Sequence, residues 1–193
     1  DEYHYLYEKK KESIVKGTGR VKQELLELAN TLNMAMINLK EIKEAIAKGN
    51  EVILSLNRAL DSLSSAEGWG TWDLFGGGLL SDLAKHSNID YAEAEIENTQ
   101  RLLRQFKTEL VDIDISSDIM IDIDGFSKFA DFFFDGLIAD WFMQSKINQS
   151  QENVYHVRSQ VLDIMEKLNQ LLEEEESEIQ NLKGEIDTLI LQS

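Results

Sequence analysis

Asp82, His86 and Asp90 stand four residues apart, so one helix face could offer an imidazole and two carboxylates to a metal ion. Against this, Ser87-Asn88-Ile89-Asp90 reads as a capping box that would break the helix between His86 and Asp90. A lone histidine near a helix end is more often a surface or dipole-capping residue, and that reading is preferred. Glu152 and His156 are also four apart, whereas carboxylate-bridged di-iron bundles use Glu-x-x-His on two helices, which disfavours such chemistry. Asp112, Asp114, Asp118, Asp122 and Asp124 could gather hard cations. Asp122, Asp124, Gly125 and Asp131 even fall at positions 3, 5, 6 and 12 of a calcium loop. Met120 holds position 1, however, and the bidentate glutamate is missing, so the segment is not an EF-hand. Weak divalent-cation binding at 112–124 stays a minor expectation beside capping by Asp124 and plain solvation. The three histidines, His4, His86 and His156, form no nucleophile–base pair at any readable spacing. The chain is therefore read as a non-enzyme, with no catalytic, cofactor-binding or metal residues assigned.

The stretch Gly68-Trp69-Gly70-Thr71-Trp72-Asp73-Leu74-Phe75-Gly76-Gly77-Gly78 is the most unusual in composition. Its glycine spacing is not that of a phosphate loop, and no lysine follows to meet a phosphate. Trp69, Trp72 and Phe75 could dock a partner or probe a membrane. They are read first as a plug that closes a bundle end while the glycines permit a tight reversal. Together with Lys85-His86-Ser87, this stretch resembles a set of uncharacterised bacterial helical coiled-coil proteins that share a G-W-G-T-W-D-x-x-G-G-G pattern. The resemblance covers about residues 60–150 and implies no activity.

The elements that must position these residues are legible in the apolar spacing. Steps of three and four alternate through Ile14, Thr18, Val21, Leu25, Leu28, Leu32, Ala35, Leu39, Ile42, Ile46, Gly49, Ile53, Leu56, Leu60 and Leu63. This 3.5-residue period keeps one seam facing a partner when helices supercoil left-handedly. Fifty such residues make a rod of roughly 75 Å. The phase holds across Gly17 and Gly19, which predicts one continuous helix there. Ser64-Ser65 are expected to end it, followed by a turn region and a short helix over Leu79 to His86, before the cap at Ser87-Asn88. A second helix carries Ile89, Ala92, Ile96, Thr99, Leu103, Phe106, Leu110 and Ile113.

From Asp112 to Gly125 the apolar period becomes two. An extended loop pressing its isoleucines on the bundle is preferred to a ribbon pairing 112–115 with 120–123, because two isolated strands are marginal. Residues 126–147 are expected to form a third helix, apolar almost all round from Phe126 to Met143, and are assigned to the core. The last helix carries Val154, Val157, Val161, Ile164, Leu168 and Leu171. It then shifts phase to Leu172, Ile179, Leu182, Ile186 and Leu189, with Glu173 to Glu176 read as a solvated face.

Composition sets the remaining bounds. The balance of 19 basic against 36 acidic residues gives a net charge of -17, which repels nucleic acid and anionic lipid. There is no cysteine and no proline; a chain of this size usually carries about 5% proline, and its lack suits long helices. No run approaches the roughly 20 apolar residues that span a bilayer, so stable membrane insertion is not expected. Asp1-Glu2-Tyr3-His4 shows neither a signal-peptide pattern nor an initiator methionine; a cytoplasmic home is the simplest expectation, and function could also sit in chain beyond these residues.

The expected fold is all-α and elongated: an up-down-up-down four-helix head at about 50–165, and an antiparallel coiled-coil stalk of about 1–49 with 166–193. Both termini then lie at the far end of the stalk; a parallel dimer through the first helix is the alternative. Function is read as protein–protein docking, self-association or spacing through the seams. A helical pore-forming or membrane-remodelling protein, with 68–83 as its membrane-active element, is the runner-up.

Overall fold

The computed structural model describes residues 2–17, 19–70, 80–113, 121, 125, 126, 128 and 147–192. Among them every element is an α-helix: α1 (Glu2–Lys16), α2 (Arg20–Gly70), α3 (Leu80–Asp112) and α4 (Ile147–Gln192). Gly125, Phe126 and Lys128 are helical as well. The fold is all-α among the described residues, as the 3.5-residue apolar spacing leads one to expect.

The 51 residues of α2 form the axis. Along it, Leu25, Ala35, Ile42, Leu56, Leu60 and Leu63 are buried, and Leu28, Leu32, Leu39, Ile46 and Ile53 are half-buried. From Ile42 onward a further heptad position is buried too, at Ala45, Val52 and Ala59. Ser55, three and four residues from Val52 and Ala59, hydrogen-bonds to α3, so this second stripe of small residues is where α3 comes close. The helix buries two faces because it has two long neighbours.

Cross-helix pairs give the directions. Asn38 meets Glu175, Lys43 meets Glu176, and Asn57 meets Arg158; α4 therefore runs antiparallel to α2. Ser55 meets Thr99 and Arg58 lies by Glu95, while Gly49 faces Phe106, so α3 is antiparallel to α2 as well. The main core collects residues of α2 from Ile42 to Leu63, of α3 from Ile96 to Leu110, and of α4 from Val154 to Leu171. Ile113, Ile121 and Phe126 join it, and Phe126 packs edge-on against Phe106 with ring centroids 5.6 Å apart. Buried Ile113 and Ile121 agree with isoleucines pressed on the bundle, and among the described residues there is no strand. A second, thinner core holds Ala35, Ile179 and Leu182 with Leu28, Leu32 and Leu39.

Four expectations are corrected. The helix is not continuous across Gly17 and Gly19. Both are bends, and Gly17 N–H closes α1 by donating to the carbonyls of Ser13 and Ile14 at 3.0 and 3.1 Å. Beyond the break α1 reverses: Tyr7 donates to Asp187 at 2.6 Å and Lys10 to the carbonyl of Leu191 at 2.7 Å. Both residue numbers rise together, so α1 is parallel to α4 and antiparallel to α2. A straight helix would carry residues 2–16 beyond the C-terminal end of α4 with nothing to cover them. Second, α2 continues through Ser64 and Ser65 to Gly70. Third, α3 runs unbroken through Ser87–Asp90, so no cap interrupts it; helix already propagating tolerates weak formers at a few tenths to about 1 kcal/mol each. Fourth, Glu175 is not on a solvated face. The phase shift at Leu171–Leu172 carries the seam through position 175, and its carboxylate accepts from Asn38 Nδ2 at 3.0 Å. Glu173, Glu174 and Glu176 are exposed.

Candidate functional site

The aromatic tip candidates fall at the edge of what is described. Trp69 belongs by its backbone to the last turn of α2, while its side chain, Trp72 and Phe75 lie outside the described residues. Asp82, His86 and Asp90 all fall on the continuous backbone of α3; their side chains are outside the described set. Of the aspartates at 112–124, Asp112 is described and exposed; the other four lie outside, as do residues 129–146. His4 is exposed, and so is His156, beside Gln160 on the surface of α4. Among the described residues no helix is long and apolar enough to cross a membrane.

The seam residues are brought together. Leu25, Ile42, Leu56, Leu60, Leu168, Ile179 and Leu182 are buried, and Leu28, Leu32, Leu39, Ile46, Ile53, Ile186 and Leu189 are half-buried. Reading the sequence misses Ile190, which is fully buried; only the companion helix at the end of α4 decides which of three neighbouring apolar residues turns inward.

Two polar constellations also escape a reading of the sequence. One lies between α2 and α3. Ser55 Oγ lies 2.7 Å from Glu95 Oε1 and 2.8 Å from Thr99 Oγ1, Asn98 Nδ2 donates to Ser55 at 3.1 Å, and Thr99 donates to the carbonyl of Glu95 at 2.8 Å. Arg101 extends the group by donating to Asn98 at 2.8 Å. Ser55 and Thr99 are the buried polar residues among those described, so their hydroxyls must find each other and Glu95. Such a group fixes the relative slide of two helices, since a one-residue shift would strand every partner.

The other is carboxylate-rich. Glu41 and Glu44 on α2 and Glu109 on α3 bring one oxygen each within 4.8 Å of one another. Lys40 Nζ sits beside the group, 2.8 Å from Glu44 and 3.2 Å from Glu41. Hydrogen bonds to Glu44 and then Glu41 raise the pKa of this exposed ammonium above its usual 10.5. The lysine already supplies a counter-charge, and the trio reads as a solvated face rather than a metal centre.

Polar bonds from α2 to α4 complete the picture: Arg158 Nε donates to Asn57 at 2.8 Å, and Lys43 pairs with Glu176 at 2.9 Å. The Ser55–Thr99 group and these α2–α4 bonds join helix to helix, whereas the Lys40 ties stay within α2. Comparison with protein-family models, curated proteins and solved structures finds no match for this chain.

Proposed function

We propose that this chain is a non-enzymatic helical interaction module: a bundle head carried on an antiparallel coiled-coil stalk, serving to space or to dock proteins. One observation carries the reading. The α2–α4 pairing continues past the thick core, from Leu39 through Ala35, Leu32 and Leu28 against Ile179 and Leu182, where, among the described residues, no third long helix contributes to the cluster. Such an extension gives a spacer or docking arm its reach. The division between head and stalk then falls near Ile42 on α2 and Leu172 on α4. The polar side chains support the same reading, because Ser55, Asn57, Asn38 and Lys43 are used to hold register between helices.

Small-angle scattering tests the shape. A long, thin profile with a maximum dimension of about 75 Å or more, the length of α2 alone, is the expected result. A globular profile would overturn the spacer reading.

A further inference from the structure

We infer that α1 is an exchangeable arm, and that this chain self-associates by placing α1 on the α2–α4 pair of a second copy. The inference rests on the proposed seam-mediated docking role and names its partner.

Four observations carry it. The inward-facing stripe keeps its heptad phase across the break: half-buried Tyr7, Lys10 and Ile14 of α1 are followed seven residues on by half-buried Val21, and then by buried Leu25, of α2. The stripe that faces inward in the hairpin would therefore also run unbroken along a straightened α1–α2 helix. Neither Gly17 nor Gly19 adopts the left-handed backbone that only glycine accepts readily, and a Cβ on Gly19 would meet nothing within 4 Å. At these two positions the backbone does not demand glycine. Third, α1 supplies no residue to either core. Polar bonds at exposed sites, from Tyr7 to Asp187 and from Lys10 to the Leu191 carbonyl, tie it down, and Tyr5, Leu6 and Val15 remain exposed. Fourth, α1 lies antiparallel to α2 and folds back about the bend. If both bends straighten, two chains that overlap antiparallel about Gly17–Gly19 place each α1 on the partner's α2 and α4. Tyr7 and Lys10 then recover the same acceptors in trans, and Ile14 of each chain meets Val21 of the other. Opening costs few contacts because the exchange restores them, which is the condition for domain swapping.

The chain has no cysteine, so single thiols can be placed at will. Lys10→Cys chains mixed with Leu191→Cys chains and treated with a short bis-maleimide should give a cross-linked heterodimer in the otherwise native sequence. Gly17→Ala/Gly19→Ala favours the straight helix. A Cβ on Gly19 meets nothing within 4 Å, while one on Gly17 comes 3.3 Å from the Ile14 carbonyl of the turn that closes α1, so the alanines favour the straight form over the bend and self-association should tighten by on the order of tenfold or more. Light scattering should then show twice 22.1 kDa at lower concentration than for the native chain. A monomeric mass for both proteins at every concentration would overturn the exchange, as would a dimer that cross-links residue 10 to residue 10, which marks parallel pairing. Either result with an elongated scattering profile leaves the spacer reading standing; a globular profile removes that reading itself.

Discussion

Gly49 shows how one residue sets the spacing of three helices. A Cβ built there would collide with Met165 Sδ from α4 and lie 3.1 and 3.2 Å from the ring of Phe106 on α3. In an exposed helix Gly→Ala would stabilise by about 1 kcal/mol. Here the methioninyl chain can swing aside, but the Phe106 ring is wedged against Phe126, and overpacking of this kind costs about 1–3 kcal/mol. Gly49→Ala is thus expected to lower stability by about 1 kcal/mol net in chemical denaturation; a gain would mean that α3 recedes freely from α2. At Ser55 the logic is reversed, because a partner is lost rather than added. Ser55→Ala leaves Thr99 its bond to the Glu95 carbonyl and Glu95 its bond from Asn98, so no buried group is orphaned. The expected cost is about 1 kcal/mol, read from the denaturation midpoint. A loss of several kcal/mol would show that the hydroxyl pair carries the α2–α3 register unaided.

At the scale of the element, α2 and α4 are thick-cored at one end and thin-cored at the other. Opening free energies follow the number of buried apolar contacts, so amides of 28–39 and 179–190 should exchange faster than those of 42–63 and 154–171. Leu182→Ala removes a main member of the thin core and should accelerate exchange in that stretch by about tenfold or more while leaving the thick core's protection almost unchanged. Uniform acceleration along both helices would mean that the two cores open as one. The seams themselves were legible in the sequence, because Leu25 to Leu63 repeat at a spacing that only a buried helix face explains. Where helices stop was not. Ser64-Ser65 and Ser87-Asn88 carry turn signals worth a few tenths of a kcal/mol to about 1 kcal/mol each, less than a helix in progress loses by ending. The reversal at Gly17 escaped because phase is blind to it: the same stripe serves a straight helix and a hairpin. The trio of Glu41, Glu44 and Glu109, like the Ser55–Thr99 pair, needs the slide of α3 along α2, which neither helix encodes alone.

Over the whole molecule, charge is unevenly placed. Lys9, Lys10, Lys11, Lys16, Arg20 and Lys22 cluster about the bend, while Glu173 to Glu176, Glu178, Glu185 and Asp187 line the end of α4. With a net charge of -17, the folded state as a whole repels itself, but α1 is drawn to α4. Lys10 sits on the Leu191 carbonyl at the negative end of the α4 dipole, an interaction worth a few tenths to about 1 kcal/mol that salt weakens. The two effects have opposite signs, so salt separates them. Raising ionic strength from about 0.01 M to about 1 M shortens the Debye length from about 30 Å to about 3 Å. The melting temperature should rise by roughly 3–6 °C, as about 1–2 kcal/mol of self-repulsion is screened in a chain of this size. Over the same range, amides of α1 should exchange faster, because its polar ties to Asp187 and Leu191 are weakened. If α1 becomes better protected along with the rest, its apolar stripe at Tyr7 and Ile14 holds it rather than its lysines, and the arm is governed by the seam rather than by charge. If melting falls with salt, the attraction between the basic bend and the acidic end of α4 outweighs the net repulsion of the entire chain.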